Sequence, residues 1–196
     1  MSDTSTRVIR LERASVGSPE KLRMSLDMVA QGAAKQPVVV VPPALAGVTE
    51  ALVAAMAGAA AGRLAVEAFV ASIRERHLTL LAAVASETEI TRVTPSLGRE
   101  LKTLASRLRE TASLRGRDAH DRDALLATGE RLATLILAAA LRSRGLQARP
   151  MDATEGESPE AAAPSGRPPG TACVEVWPNE ETALRALGEG LAPIVA

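Results

Sequence analysis

Residues Pro37-Val38-Val39-Val40-Val41 form a continuous β-branched run, and no other stretch limits the fold so strongly. A strand that is apolar at every position has no polar face to offer water, so it belongs in a sheet covered on both sides, as parallel strands of α/β proteins are. The run leads into Pro42-Pro43-Ala44-Leu45-Ala46-Gly47-Val48-Thr49-Glu50 and then an alanine-rich helix to about Ala61. Ahead of it, Val8-Ile9-Arg10-Leu11 reads as a short apolar strand ending in a turn. A helix is predicted from about Pro19 to Ala33, with Pro19 suited to its first turn and Leu22, Leu26 and Val29 at helical spacing. Met24 and Met28, beside that stripe, read as core filler. Two strand–loop–helix units in succession predict an α/β fold, and ligands in such folds sit where the strands end.

Further along, helical spacing predicts helices over 64–85 and 96–114, and a third ending in the run 132–141. That last run is apolar nearly all round, so its helix is expected in the core or at a subunit interface. The charged residues from Arg99 to Glu110 read as a solvated face. Strands are predicted over 146–153 and 172–177. The intervening 154–171, rich in Glu, Ser, Pro, Ala and Gly, cannot bury much apolar surface and reads as a mobile loop. A short helix over 179–187 and a closing strand over 191–196 complete the reading. The expected architecture is a single α/β domain over 1–196, a three-layer sandwich with a mainly parallel sheet and helices on both faces.

Composition narrows the function. With 23 basic and 23 acidic residues the chain has no net field to attract nucleic acid or an anionic membrane. Phe69 and Trp177 are its two aromatic residues, too few for base-stacking platforms. Cys173 is the single cysteine and reads as a small apolar strand residue. His77 and His120 lack second ligands at suitable spacing, so no metal site is expected, and both read as structural or surface residues. The apolar stretch 38–61 is interrupted by Pro42, Pro43, glycines and Glu50, which argues against a membrane span. Residues 1–7 lack an apolar run, so a cytoplasmic location is expected.

Three segments carry a resemblance. The first junction resembles the opening of aspartokinases and their relatives in the amino-acid-kinase family, a strand ending in K-F-G-G-[ST]-S-V before a helix. Arg10 stands in the lysine place, Leu11 in the phenylalanine place, Glu12 and Arg13 in the places of the two glycines, and Ser15 in that of the second hydroxyl. The second junction resembles S-A-x-[GA]-G-[VI]-T-[DN]. Ala44, Ala46, Gly47, Val48 and Thr49 match it, Pro43 replaces the serine, and Glu50 takes the last place. The segment from Asp121 to Ala133 resembles R-D-x-[IL]-L-S-x-G-E-x-[LM]-[SA], with Ala127 in the serine place and Thr128, Gly129 and Glu130 aligned.

The resemblance implies an amino-acid-kinase-like fold, with Arg10 in the catalytic lysine position. It also implies substrate-binding roles for Ser15, Gly47, Thr49, Gly129 and Glu130, the glutamate meeting the ammonium group of an amino acid such as aspartate. Read without it, Thr49 serves equally as an N-terminal helix residue and Glu130 as a partner of Arg131. The ending at 191–196 resembles a family segment that precedes the nucleotide-binding half, so the resemblance implies roughly the first half of a catalytic domain.

The departures weigh against catalysis. A glycine turn lets backbone N–H groups approach phosphate, which Glu and Arg hinder, and a carboxylate there repels phosphate. Arg is also no simple replacement for Lys. Three readings stay open. The chain is a non-catalytic relative acting as an amino-acid-binding remnant or a partner subunit, paired with another protein chain or with itself. Alternatively it is an aspartate-kinase-type phosphotransferase, using ATP and Mg and completed by another chain. Or it is a ligand-free scaffold. The first and third need no cofactor.

Overall fold

The computed structural model describes residues 6–113, 119–152 and 172–177. Strand β1 (Arg7–Arg10) is followed by a 3-10 turn over Arg13–Val16 and helix α1 (Pro19–Ala33). Ser18 caps α1 by accepting the Lys21 backbone N–H through its hydroxyl, and Pro19 opens the first turn. Strand β2 (Val38–Val41), helix α2 (Val48–Ala60), helix α3 (Val66–Val84) and helix α4 (Glu87–Ser113) come next. They are followed by helix α5 (Ala119–Arg142) and strands β3 (Gln147–Asp152) and β4 (Ala172–Trp177). The expected loop over 154–171, helix over 179–187 and closing strand over 191–196 lie outside the described residues.

The four described strands lie in the order β1-β2-β4-β3. β1 and β2 run parallel, Ile9 opposite Val40, as the connecting helix α1 requires. β4 runs antiparallel to both of its neighbours, Val174 opposite Val40 of β2 and Glu175 opposite Arg149 of β3. The mainly parallel sheet expected from the valine run is therefore not what the described strands form, because two of their three pairings are antiparallel. An apolar run records that both faces of a strand are covered. It does not record which way its neighbours point.

By the two-residue alternation of strands, Val38, Val40, Val174, Val176 and Ala148 share one face and enter the hydrophobic core. Val39, Cys173, Glu175 and Trp177, on the other face, are buried as well. Helix α1 lies on the core face, where Gly32 brings its backbone close to Ile9 and Val38. The three-layer expectation places helices on both faces, and the described helices that touch the sheet, α1 and α5, are on this one. Met24 and Met28 project from α1 to solvent, 71% and 58% exposed, contrary to their expected place in the core. The inward stripe is Leu22, Leu26, Val29 and Ala33, and the methionines lie on the opposite side of the turn.

Helix α5 is the hub. It packs against β3 and β4 on one side and against α1, α2, α3 and α4 around the rest of its circumference. Leu132, Ala133 and every residue from Ile136 to Leu141 are buried within this chain, which resolves the choice between core and subunit interface in favour of core. One helical segment, Arg122–Arg142, is long and apolar enough to cross a membrane, and 67% of its most apolar window is buried inside the protein. An apolar helix packed against four other helices and two strands needs no lipid to explain it.

Candidate functional site

The carboxyl ends of β1 and β2 lead into the first two motif segments, and three contacts bring the motifs together. The ladder between β1 and β2 continues one residue past the strands, Leu11 N–H donating to the Val41 carbonyl at 3.0 Å. Above it, the Arg13 guanidinium donates to the Glu50 carboxylate at 2.8 Å. A Cβ placed on Gly17 would lie 3.9 Å from the Ala46 side chain. The third segment arrives through Gly129 of α5, where an added Cβ would come within 2.9 Å of Ala44 Cβ and 3.2 Å of Val48 Cγ1. Separations this short leave room only for hydrogen, so glycine permits α5 to meet the β2–α2 junction directly.

The two residues in the glycine places adopt ordinary geometry. Glu12 has φ −82° and ψ 157°, an extended conformation open to any residue, and Arg13 begins the 3-10 turn. The left-handed conformation that glycine favours occurs at the second junction instead, where Gly47 has φ 76° and stands at the N-cap of α2. Arg76 of α3 reaches across to this point. Its guanidinium donates to the Ala46 carbonyl and would lie 3.3 Å from a Cβ on Gly47. Beside Arg76 a cleft of about 170 Å³ opens between the α1 N-terminus and α3, with Gly17, Ser18, Leu45, Ala46 and Thr79 among its walls.

Each residue singled out in the sequence can now be placed. Arg10 is exposed at the end of β1, and its side chain has no ion pair among the described residues. Ser15 is half-buried in the 3-10 turn, and its carbonyl accepts the Ser25 hydroxyl at 3.3 Å. Thr49 lies one residue inside α2, behind the capping position held by Gly47. Gly129 is buried at the packing contact just described. Glu130, its neighbour on α5, is half-buried, and burial raises its carboxyl pKa above the usual range while the nearby Arg131 charge partly counters this.

Arg131 does not neutralise Glu130 by a direct bond. It donates to Glu100 at 2.9 Å and to the Thr128 hydroxyl at 3.0 Å. Glu130 is thus a partly desolvated carboxylate with no ion pair among the described residues, close in the chain to the point where the third motif meets the second. None of the six residues lines the cleft beside Arg76, although the Gly17 and Ala46 flanks belong to the same motif segments.

Two features were missed by sequence reasoning. The Arg13–Glu50 pair joins residues 37 apart in the chain, and no local pattern announces it. Arg76 sits in a charged stretch of α3 that reads as surface. His77 beside it is buried, in keeping with its expected structural role, whereas the side chain of His120 lies outside the described residues. Among the described residues no three His, Cys, Asp or Glu side chains cluster to hold a metal ion.

With this geometry in view, the chain belongs to the amino acid kinase family, whose pattern it matches over residues 7–196. No curated protein matches the chain significantly.

Proposed function

We propose that this chain is a catalytically silent member of the amino acid kinase family that retains an amino-acid site around Glu130 and works as a ligand-binding or partner subunit. The observation that carries this reading is the Arg13–Glu50 ion pair. It links the two junctions whose turns, in the aspartokinases this chain resembles, face phosphate. A carboxylate at each junction, Glu12 and Glu50, opposes the gathering of positive charge on which phosphoryl transfer depends. The acidic groups there do not fit a resident magnesium ion, since Glu50 is paired with Arg13 and, among the described residues, no three His, Cys, Asp or Glu side chains cluster to hold a metal. Glu130 supports the amino-acid half of the proposal: a half-buried carboxylate without an ion pair gains most from an incoming ammonium group.

The competing reading, a phosphotransferase completed by another chain, is favoured by one feature. Arg10 keeps a cation at the end of β1, where the family's lysine stands, with no ion pair among the described residues. Calorimetric titration tests the amino-acid site. Aspartate is expected to bind the intact chain and to lose at least tenfold in affinity in Glu130→Ala. Undiminished binding in that variant would overturn the assignment of Glu130, and no binding to either protein would leave the scaffold reading.

The site also has a predicted pH dependence. Because the Glu130 pKa is raised, the carboxylate that meets the ammonium group forms only as pH climbs above the ordinary glutamate range. Aspartate affinity is therefore expected to strengthen as pH rises through that titration. An affinity that stays flat as pH rises above the ordinary glutamate range would contradict the pairing.

A further inference from the structure

His77 follows Arg76 in α3, lines a different cavity from the cleft described above, and is 1% exposed. Its Nδ1 is 2.7 Å from the Ile73 carbonyl oxygen one turn earlier. A carbonyl can only accept, so Nδ1 carries the ring hydrogen, and Nε2 keeps a lone pair. Nε2 is the one buried side-chain nitrogen or oxygen among the described residues that has no hydrogen-bond partner.

Between α3 and α4 His77 lines a cavity of about 30 Å³, together with Arg74, Thr94, Leu97, Gly98 and Leu101. The path of α4 explains why space remains there. Pro95 interrupts the helix from within, costing it a backbone hydrogen bond and crowding the preceding turn. Three residues on, Gly98 has no side chain, and a Cβ placed on it would meet nothing within 4 Å. The cavity is not purely apolar. The Thr94 hydroxyl spends its hydrogen on the Ile90 carbonyl at 2.7 Å and keeps its lone pairs.

We propose that this cavity binds one ordered water molecule, which donates one hydrogen bond to His77 Nε2 and another to Thr94 Oγ1, joining α3 to α4. The volume suits a single water, and buried waters are held by a few polar partners that the protein leaves unsatisfied. Other occupants fit less well. An anion would face the Nε2 lone pair. A metal ion would accept that lone pair, but its remaining neighbours would be one hydroxyl and the Arg74 cation, the sole charged side chain on the wall. An apolar guest would leave Nε2 unsatisfied.

The test is a crystal structure of the full chain at neutral pH, determined with and without xenon pressure, together with long-range proton–nitrogen NMR of the imidazole. The expected result is a water peak about 3 Å from Nε2, no xenon in the cavity, and the Nδ1–H tautomer. Thr94→Val, which keeps the shape and removes one partner, is expected to lower the occupancy of that water. Xenon in the cavity, an absent peak, or the Nε2–H tautomer would overturn the proposal.

Discussion

At the scale of single residues, the exposed and buried ion pairs separate sharply. Arg13 and Glu50 have side chains 63% and 62% exposed, so water screens their attraction. Glu50→Ala is expected to change stability by no more than about 1 kcal/mol in urea denaturation, which makes it a clean probe of the junction's chemistry. Glu89 and Arg142 are different: they meet at 2.6 Å with side chains 8% and 16% exposed, and Arg142 also holds the Ala148 carbonyl at 2.9 Å. Glu89→Ala takes the carboxylate from a part-buried guanidinium that still holds the Ala148 carbonyl and is expected to cost about 1–3 kcal/mol, read from the same denaturation curves. His77 gives a pH signature. Burial holds its pKa below the ordinary 6.5, so the unfolded chain takes up a proton that the folded chain refuses. Stability is therefore expected to fall as pH drops below about 6.5, and His77→Leu is expected to flatten that slope between pH 7 and pH 5, a range of about two units around the titration.

At the scale of elements, helix α5 explains both what the sequence discloses and what it conceals. The apolar run 132–141 marks a buried helix, and the helical stripe of α1 and the valines of β2 predict those elements closely. Helix α4 is less legible. Helical spacing predicts a helix from Ser96, yet α4 starts at Glu87 and runs through Pro95, because tertiary packing on α3 and α5 outweighs one missing backbone hydrogen bond. Met24 and Met28 mislead for a related reason: a helix has two sides, and a flexible apolar side chain does not say which one it occupies. Strand direction is hidden too: β4 pairs antiparallel with both β2 and β3, and an apolar run carries no record of direction. The contact of α5 with the β2–α2 junction depends on Gly129, where an added Cβ would come 2.9 Å from Ala44. Gly129→Val is expected to destabilise the protein by about 1–3 kcal/mol, visible as a lowered thermal midpoint. A tolerated valine would mean that the helix and the junction can separate.

Across the whole molecule, the three motif segments converge at the carboxyl ends of β1 and β2, and their order in the sequence, with the resemblance it carries, makes that legible in advance. The Arg13–Glu50 link was not legible, because a cross-junction ion pair depends on tertiary placement of two residues that each look like a surface charge. The proposed loss of phosphoryl transfer rests on that link, which pairs side chains across the first two junctions. Titration of the purified chain with ATP and magnesium, followed by calorimetry, tests this most directly. A silent site is expected to give no saturable heat at millimolar nucleotide; saturable binding, above all binding abolished by Arg10→Ala, would overturn the proposal and return phosphoryl transfer to this chain.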